Sequence, residues 1–167
     1  NKKTELSALR KSGRKLHLTG IIISGGILGP LFLMMGLKTA NAMSVSVWLN
    51  MELVATAILG ILIFKDHLDR YAILGIILTL VAGILVSLQE PVSGLISAGF
   101  IISACIFWGL DNHLSAIIDG VSARTITFIK GIIGGMTNLT IGLILMNGQI
   151  QLNYILPAIS VGIFSYG

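Results

Sequence analysis

The chain has 167 residues, 54% of them hydrophobic and only 11% charged, against roughly 25% charged in a soluble domain. That balance excludes a water-soluble globule, because too few polar side chains exist to cover its surface. The net charge of +4 does not point to nucleic acid, since six of the eleven Lys and Arg residues (Lys2, Lys3, Arg10, Lys11, Arg14 and Lys15) fall in one N-terminal segment that reads as membrane topology.

After that basic segment the chain is a series of apolar runs, each of about 20 residues, the length that crosses a hydrocarbon core of roughly 30 Å. Backbone amides in lipid must be bonded within their own segment or in a closed barrel, and the runs show no polar alternation, so they are expected to be helices. The first runs from about Leu16 to Leu37, the second from Ala42 to Phe64 and the third from Tyr71 to Leu88. The fourth covers Leu95 to Ile117, the fifth Thr125 to Met146, and a sixth opens near Tyr154 and is cut by the end of the chain at Gly167. The fold class is therefore all-α, a polytopic transmembrane helix bundle. Starting at Asn1 and stopping inside a hydrophobic run, the sequence reads as a fragment cut at both ends.

Turn chemistry agrees with these spans. Asn41 and Asp69 can cap helix starts, Pro91 with Gly94 is expected to break the chain, and Asp119-Gly120 to end the fourth span. Alternating the connections from side to side puts nine cations on the side of the N-terminal segment, counting Lys65, Arg70 and Arg124, and only Lys38 on the other. The positive-inside rule then places the N-terminal segment and the Lys65–Arg70 and Asp119–Arg124 connections in the cytoplasm of a multi-pass cell-membrane protein.

Within the spans, Gly25-x-x-x-Gly29 and Gly131-x-x-x-Gly135 have the spacing at which helix backbones can touch, and Gly29-Pro30 interrupts the ladder of the first span. The segments Ile23–Ile27 and Ile159–Ile163 agree at four of five positions, on spans of opposite direction, as inverted repeats would. Three ionisable residues lie inside spans, where each costs roughly 2.5–3.5 kcal/mol at helix centre. Glu52 shares a helix face with Trp48, Thr56 and Gly60; it is either a proton-coupling or cation-recognising carboxylate or a protonated acid bonded to a neighbouring helix. In the fourth span Trp108, Asp111, Asn112 and Ser115 share a face, with His113 to one side, a candidate proton carrier or, as is commoner near the cytoplasmic end of a span, a solvated or hydrogen-bonded bystander. Lys130 lies in a polar and small stripe with Thr127, Gly134, Thr137 and Asn138. At about 1.5 Å per residue, Asp111 and Lys130 come to the same depth, about 9–10 Å from the cytoplasmic ends, and are expected to pair, as a structural bridge or as a gate or substrate contact.

Other chemistries have little support. Cys105 is the only cysteine and lies within a span, so no internal disulfide or thiolate metal site is available. There is no phosphate-binding glycine loop, nucleophile elbow or histidine pair at metal spacing, so neither an enzyme nor a metal or other cofactor is expected. A channel would need a continuous polar stripe on several spans, and only the fifth has one. A membrane-embedded lipid-modifying protein would need a base beside its nucleophile, yet Asp111 and His113 lie about 200° apart on a helix.

Asn50 to Leu88 resembles the EamA-like domain of the drug/metabolite transporter superfamily, with Glu52 at the position of the first acid and Gly75 and Gly83 matching the two glycines of the helix that follows. Phe107-Trp108-Gly109 looks like the Trp-containing start of the second half of such transporters. Leu53 replaces the usual Pro, and Lys65-Asp66 stands where Gly-Glu is common. The resemblance implies two inverted-topology five-helix repeats in the intact protein, of which this chain holds about the third to eighth helices. Residues 1–92 would be the C-terminal part of the first repeat and 93–167 the N-terminal part of the second. It further implies a secondary transporter, an exporter by expectation, of small metabolites, amino acids or drugs, working by alternating access with proton coupling or exchange. Glu52, Trp108, Asp111, Asn112, Lys130 and Asn138 are the expected substrate-binding or coupling residues. The partners are then a small-molecule substrate and the lipid bilayer; a homodimer stays open.

Overall fold

The computed structural model describes residues 12–145, together with 153, 155–157 and 159–160. Among them are five helices long and apolar enough to cross a membrane: α1 (Arg14–Gly36), α2 (Ala42–Ile63), α3 (Arg70–Ser87), α4 (Val92–Ala116) and α5 (Ala123–Leu145). No strand occurs among the described residues, and the protein is an all-α polytopic bundle. The expected sixth span lies largely outside them, as do the basic segment before Ser12 and most of the second copy of the Ile23–Ile27 repeat.

The starts of two helices follow from side-chain caps. Asn41 Oδ1 accepts from the Met43 amide at 3.1 Å and Asp69 Oδ1 from the Ala72 amide at 2.7 Å, each satisfying a donor that the first helical turn leaves unpaired. Pro91 caps α4 in an extended conformation, as its missing N–H allows, but Gly94 does not break the chain: it sits in the first turn of α4, where its bare Cα leaves room for the Glu90 side chain. The turn lies before it, over residues 88–91. Gly120, at φ +75°, takes the left-handed turn between α4 and α5.

Two helices are less regular than their apolar patterns suggest. In α1 the stretch Ile22–Leu28 is π-helical, with the Gly29 amide bonded to the Ser24 carbonyl. Pro30 is the local cause: it cannot donate, and its ring would press on the carbonyl one α-turn back, that of Gly26, so a wider turn relieves it. In α2 the α-helix breaks at Asn50, where the Leu53 amide bonds to the Asn50 carbonyl and Asn50 Nδ2 turns back to the Ser46 carbonyl at 2.9 Å. The Cys105 thiol of α4 lies 3.6 Å and 3.7 Å from the Trp48 and Leu49 carbonyl oxygens at this break.

At its far end α2 closes on Lys65, whose φ of 59° is left-handed, and the Asp66 amide then caps the Gly60 carbonyl at 3.0 Å. A side chain in that conformation is strained by about 1–2 kcal/mol, partly offset by glycine's greater freedom when unfolded. Lys65→Gly is accordingly expected to stabilise the fold by about 0.5–1 kcal/mol, measurable by denaturant titration in detergent micelles.

The bundle is built around α4. Its most hydrophobic window is 39% buried against 6% for α3 and α5. One side of α4 packs on α2, where Val45, Trp48, Met51 and Val54 meet Ala98, Ile101 and Cys105. The other packs on α1, where the Phe32 ring lies tilted against Phe107 and Phe100, with centroids 5.3 Å and 6.1 Å away. α3 rests on the outer side of α2, and α5 rests on the π-helical stretch of α1. Because lipid is as apolar as these side chains, burial alone drives little association, and close approach and polar contacts decide the packing.

Candidate substrate and coupling site

The wide turn of α1 presents two consecutive glycines to two different neighbours. Gly25 faces α4, where any Cβ would collide with the Asp111 carboxylate, and Gly26 faces α5, where it would stand 3.0 Å from Lys130 Cγ. Above this notch Lys130 Nζ donates to Asp111 Oδ2 at 2.7 Å, with the Asp111 side chain 6% exposed and that of Lys130 26%. Ser115 Oγ lies 3.4 Å from the other carboxylate oxygen. The two charges thus meet at one depth, bridging α4 and α5 across the glycines of α1.

Further along α5, Gly134 lies directly on Gly26: a Cβ there would strike the Gly26 carbonyl group. Asn138 Nδ2 donates to the Gly26 oxygen at 2.8 Å, the carbonyl that Pro30 leaves without its α-helical donor. Asn138 Oδ1 is shielded and has no hydrogen-bond partner among the described residues. The Gly25/Gly29 spacing does make a close contact, with Gly29 leaving room for the Trp108 indole, whereas Gly131 and Gly135 face open space. Gly134, one residue from Gly135, is the glycine of α5 that touches a backbone. Between α1 and α5 a cleft of about 440 Å³, lined by Pro30, Thr127, Lys130, Gly131, Gly135 and Asn138, lies beside the ion pair. That volume is in the range of small-molecule sites, roughly 300–1,000 Å³.

Glu52 belongs to a second group of polar contacts on the α2 side. It lies in the first turn of the helical segment that restarts after Asn50, where the amide dipoles favour a negative charge. Asn112 Nδ2 donates to Glu52 Oε1 at 3.0 Å and lies 3.4 Å from Thr56 Oγ1. The expected single face of Trp108, Asp111, Asn112 and Ser115 is therefore divided. Trp108 and Asp111 turn to α1 and Asn112 to α2, because α4 is central and a face about 100° wide spans two neighbours. In α5, Lys130, Gly134 and Asn138 meet α1, while Thr127 is exposed and Thr137 bonds back to its own helix at Ile133.

His113 is more closely engaged than its place at the side of that face suggests. Its Nε2 lies 2.8 Å from the Thr56 carbonyl and its Nδ1 3.9 Å from Asp66 Oδ2. Asp111 and His113 face different helices, so they do not converge as a catalytic pair. The sequence carried one signal for the Gly26 acceptor, the proline four residues later; it singled out His113 but gave no sign that its neighbours would be Thr56 and Asp66.

Comparison with known proteins agrees with this architecture. The EamA-like transporter family profile matches residues 2–88, half of the chain. The chain belongs to this family. An uncharacterized transporter of Methanothermobacter thermautotrophicus is 30% identical over 177 residues, an alignment that takes in all of this chain and 51% of the relative. The chain thus spans about half the length of the curated relative it matches. No solved structure matches it significantly. The EamA-like match contains Glu52 and the α2–α3 hairpin; the Asp111–Lys130 pair lies beyond it.

Proposed function

We propose that the intact protein is a secondary transporter that carries small metabolites, amino acids or drugs out of the cell by alternating access, coupled to protons or to exchange. The observation that carries this reading is the Asp111–Lys130 pair at 2.7 Å, seated inside the spans on an irregular stretch of α1. Charged groups at that depth are expensive and are kept for substrate or ion pathways, and interrupted helices line the sites of transporters. Family membership and the transporter name of the relative point the same way.

In this reading Lys130 and Asn138 reach the cleft between α1 and α5, with Asp111 and Trp108 behind them as parts of the same site in the intact protein. Glu52 is the coupling carboxylate, with Asn112 holding it while it is ionised. The side bearing Lys65, Arg70 and Arg124 faces the cytoplasm by the positive-inside rule. The two halves of the chain, 1–92 and 93–167, belong to inverted repeats that rock about the cavity, with the remaining helices supplied by the rest of the protein. The test is flux in proteoliposomes of the full-length protein. An imposed pH gradient is expected to accelerate transport by the unsubstituted protein but not by Glu52→Gln, which keeps its basal exchange. Equal acceleration of both would remove Glu52 from the coupling step.

A further inference from the structure

The Asp111–Lys130 pair is not presented evenly to the cleft between α1 and α5. The Asp111 side chain is 6% exposed and that of Lys130 26%, and of the two only Lys130 lines the cleft. A compound entering there meets the positive end of the pair first. An ammonium carries three hydrogens. One goes to Asp111 Oδ2 at 2.7 Å, and among the described residues no other acceptor takes the remaining two.

Thr127 adds a hydroxyl. It stands three residues before Lys130, on the same face of α5, and lines the same cleft. Further along the helix Thr137 and Thr140 each donate to the carbonyl one turn back, at Ile133 and Met136, both at 2.8 Å. The Thr127 hydroxyl makes no such bond among the described residues. No acidic side chain lines the cleft among those residues, and Pro30, Phe128 and Ile132 supply its apolar wall. Two ammonium hydrogens and a hydroxyl thus converge, unspent, on an apolar cleft of about 440 Å³.

We infer that the cleft takes a compound by a carboxylate, which Lys130 and Thr127 recognise while its apolar remainder lies against Pro30, Phe128 and Ile132. This rests on the transport reading of the same site and narrows it to substrates that present a carboxylate. The ligand uses hydrogens that Asp111 leaves over, so the ion pair stays made and Asp111 acts as a positioning residue that holds the ammonium in place. Asp111 is also the more distant charge, so its repulsion of the ligand is weaker than the attraction of Lys130. A phosphate dianion would bring two negative charges to an ammonium already shared with Asp111, which favours the singly charged group.

The test is binding of three probes of one shape, 3-phenylpropionate, 3-phenylpropanamide and 3-phenylpropylammonium, to the full-length protein in detergent micelles, read as the rise in unfolding temperature with probe concentration. The carboxylate is expected to bind about tenfold or more tightly than the amide, the advantage of hydrogen bonds to a charged group, and the ammonium most weakly. Thr127→Val, an exposed position of conserved shape, is expected to weaken the carboxylate about two- to tenfold. The double variant Asp111→Asn/Lys130→Gln is expected to bind carboxylate and amide alike. Thr127→Val keeps the test alive if the double variant fails to fold. No binding of the carboxylate, an ammonium that binds as tightly, or a preference that survives either substitution overturns the inference. The readout is binding and not flux: a protein that moves neutral or cationic compounds without preferring the carboxylate keeps the transport reading and loses this one, and a protein that binds the carboxylate yet moves nothing does the reverse.

Discussion

Asp111→Asn alone is expected to destabilise the bundle by about 3–5 kcal/mol, because it strands the Lys130 ammonium inside the spans without its partner. Lys130→Gln, which strands the carboxylate, is expected to cost a similar amount. The double variant Asp111→Asn/Lys130→Gln is expected to recover most of that loss, since a buried ion pair returns little more than the cost of desolvating both charges. The coupling energy from the double-mutant cycle, measured by denaturant titration in micelles, is therefore large and of opposite sign to the single losses. Additive single effects would mean that the 2.7 Å contact does not hold the two side chains together.

Gly134→Ala is the second large effect. The added methyl meets the Gly26 carbonyl group, which is backbone and cannot swing aside, so α5 must move off α1. Overpacking of this kind costs about 1–3 kcal/mol, more than the gain of about 1 kcal/mol from replacing glycine by alanine within a helix. Movement of α5 also stretches the Asn138–Gly26 and Lys130–Asp111 contacts, which lie one turn to either side of Gly134. Gly131→Ala and Gly135→Ala, whose Cβ atoms would meet nothing, are the controls and are expected to be neutral or slightly stabilising in the same titration. Equal losses at all three positions would show that α5 packs on α1 through a different face.

Why some of this was legible in the sequence and some was not follows from what a helix fixes. Span length is set by the hydrocarbon core and capping by local side chains, so five spans and the caps at Asn41 and Asp69 follow from the sequence. The rise per residue is constant, so Asp111 and Lys130 could be brought to one depth before any neighbour was known. Periodicity gives angles around one helix but not the identity of the helix each angle meets. Hence the Asp111/Asn112 stripe reads as one face and is divided between α1 and α2, and Gly131 and Gly135 read as a contact surface while Gly134 makes the contact. The π-helical stretch of α1 arises from Pro30 acting with the helices that press on Gly25 and Gly26, a tertiary effect on a local rule. The contact of His113 with Asp66 was hidden for a related reason: Asp66 comes near it after Lys65 takes a left-handed conformation that its side chain disfavours.

Flux through proteoliposomes of the full-length protein, measured for a panel of metabolites, amino acids and drugs beside the folded double variant Asp111→Asn/Lys130→Gln, tests the central claim most directly. The unsubstituted protein is expected to move at least one class of compound, and the charge-free variant to lose that flux while keeping its fold. Undiminished flux in the variant, or no movement of any compound by either protein, would contradict the assignment of this ion pair to a transport site.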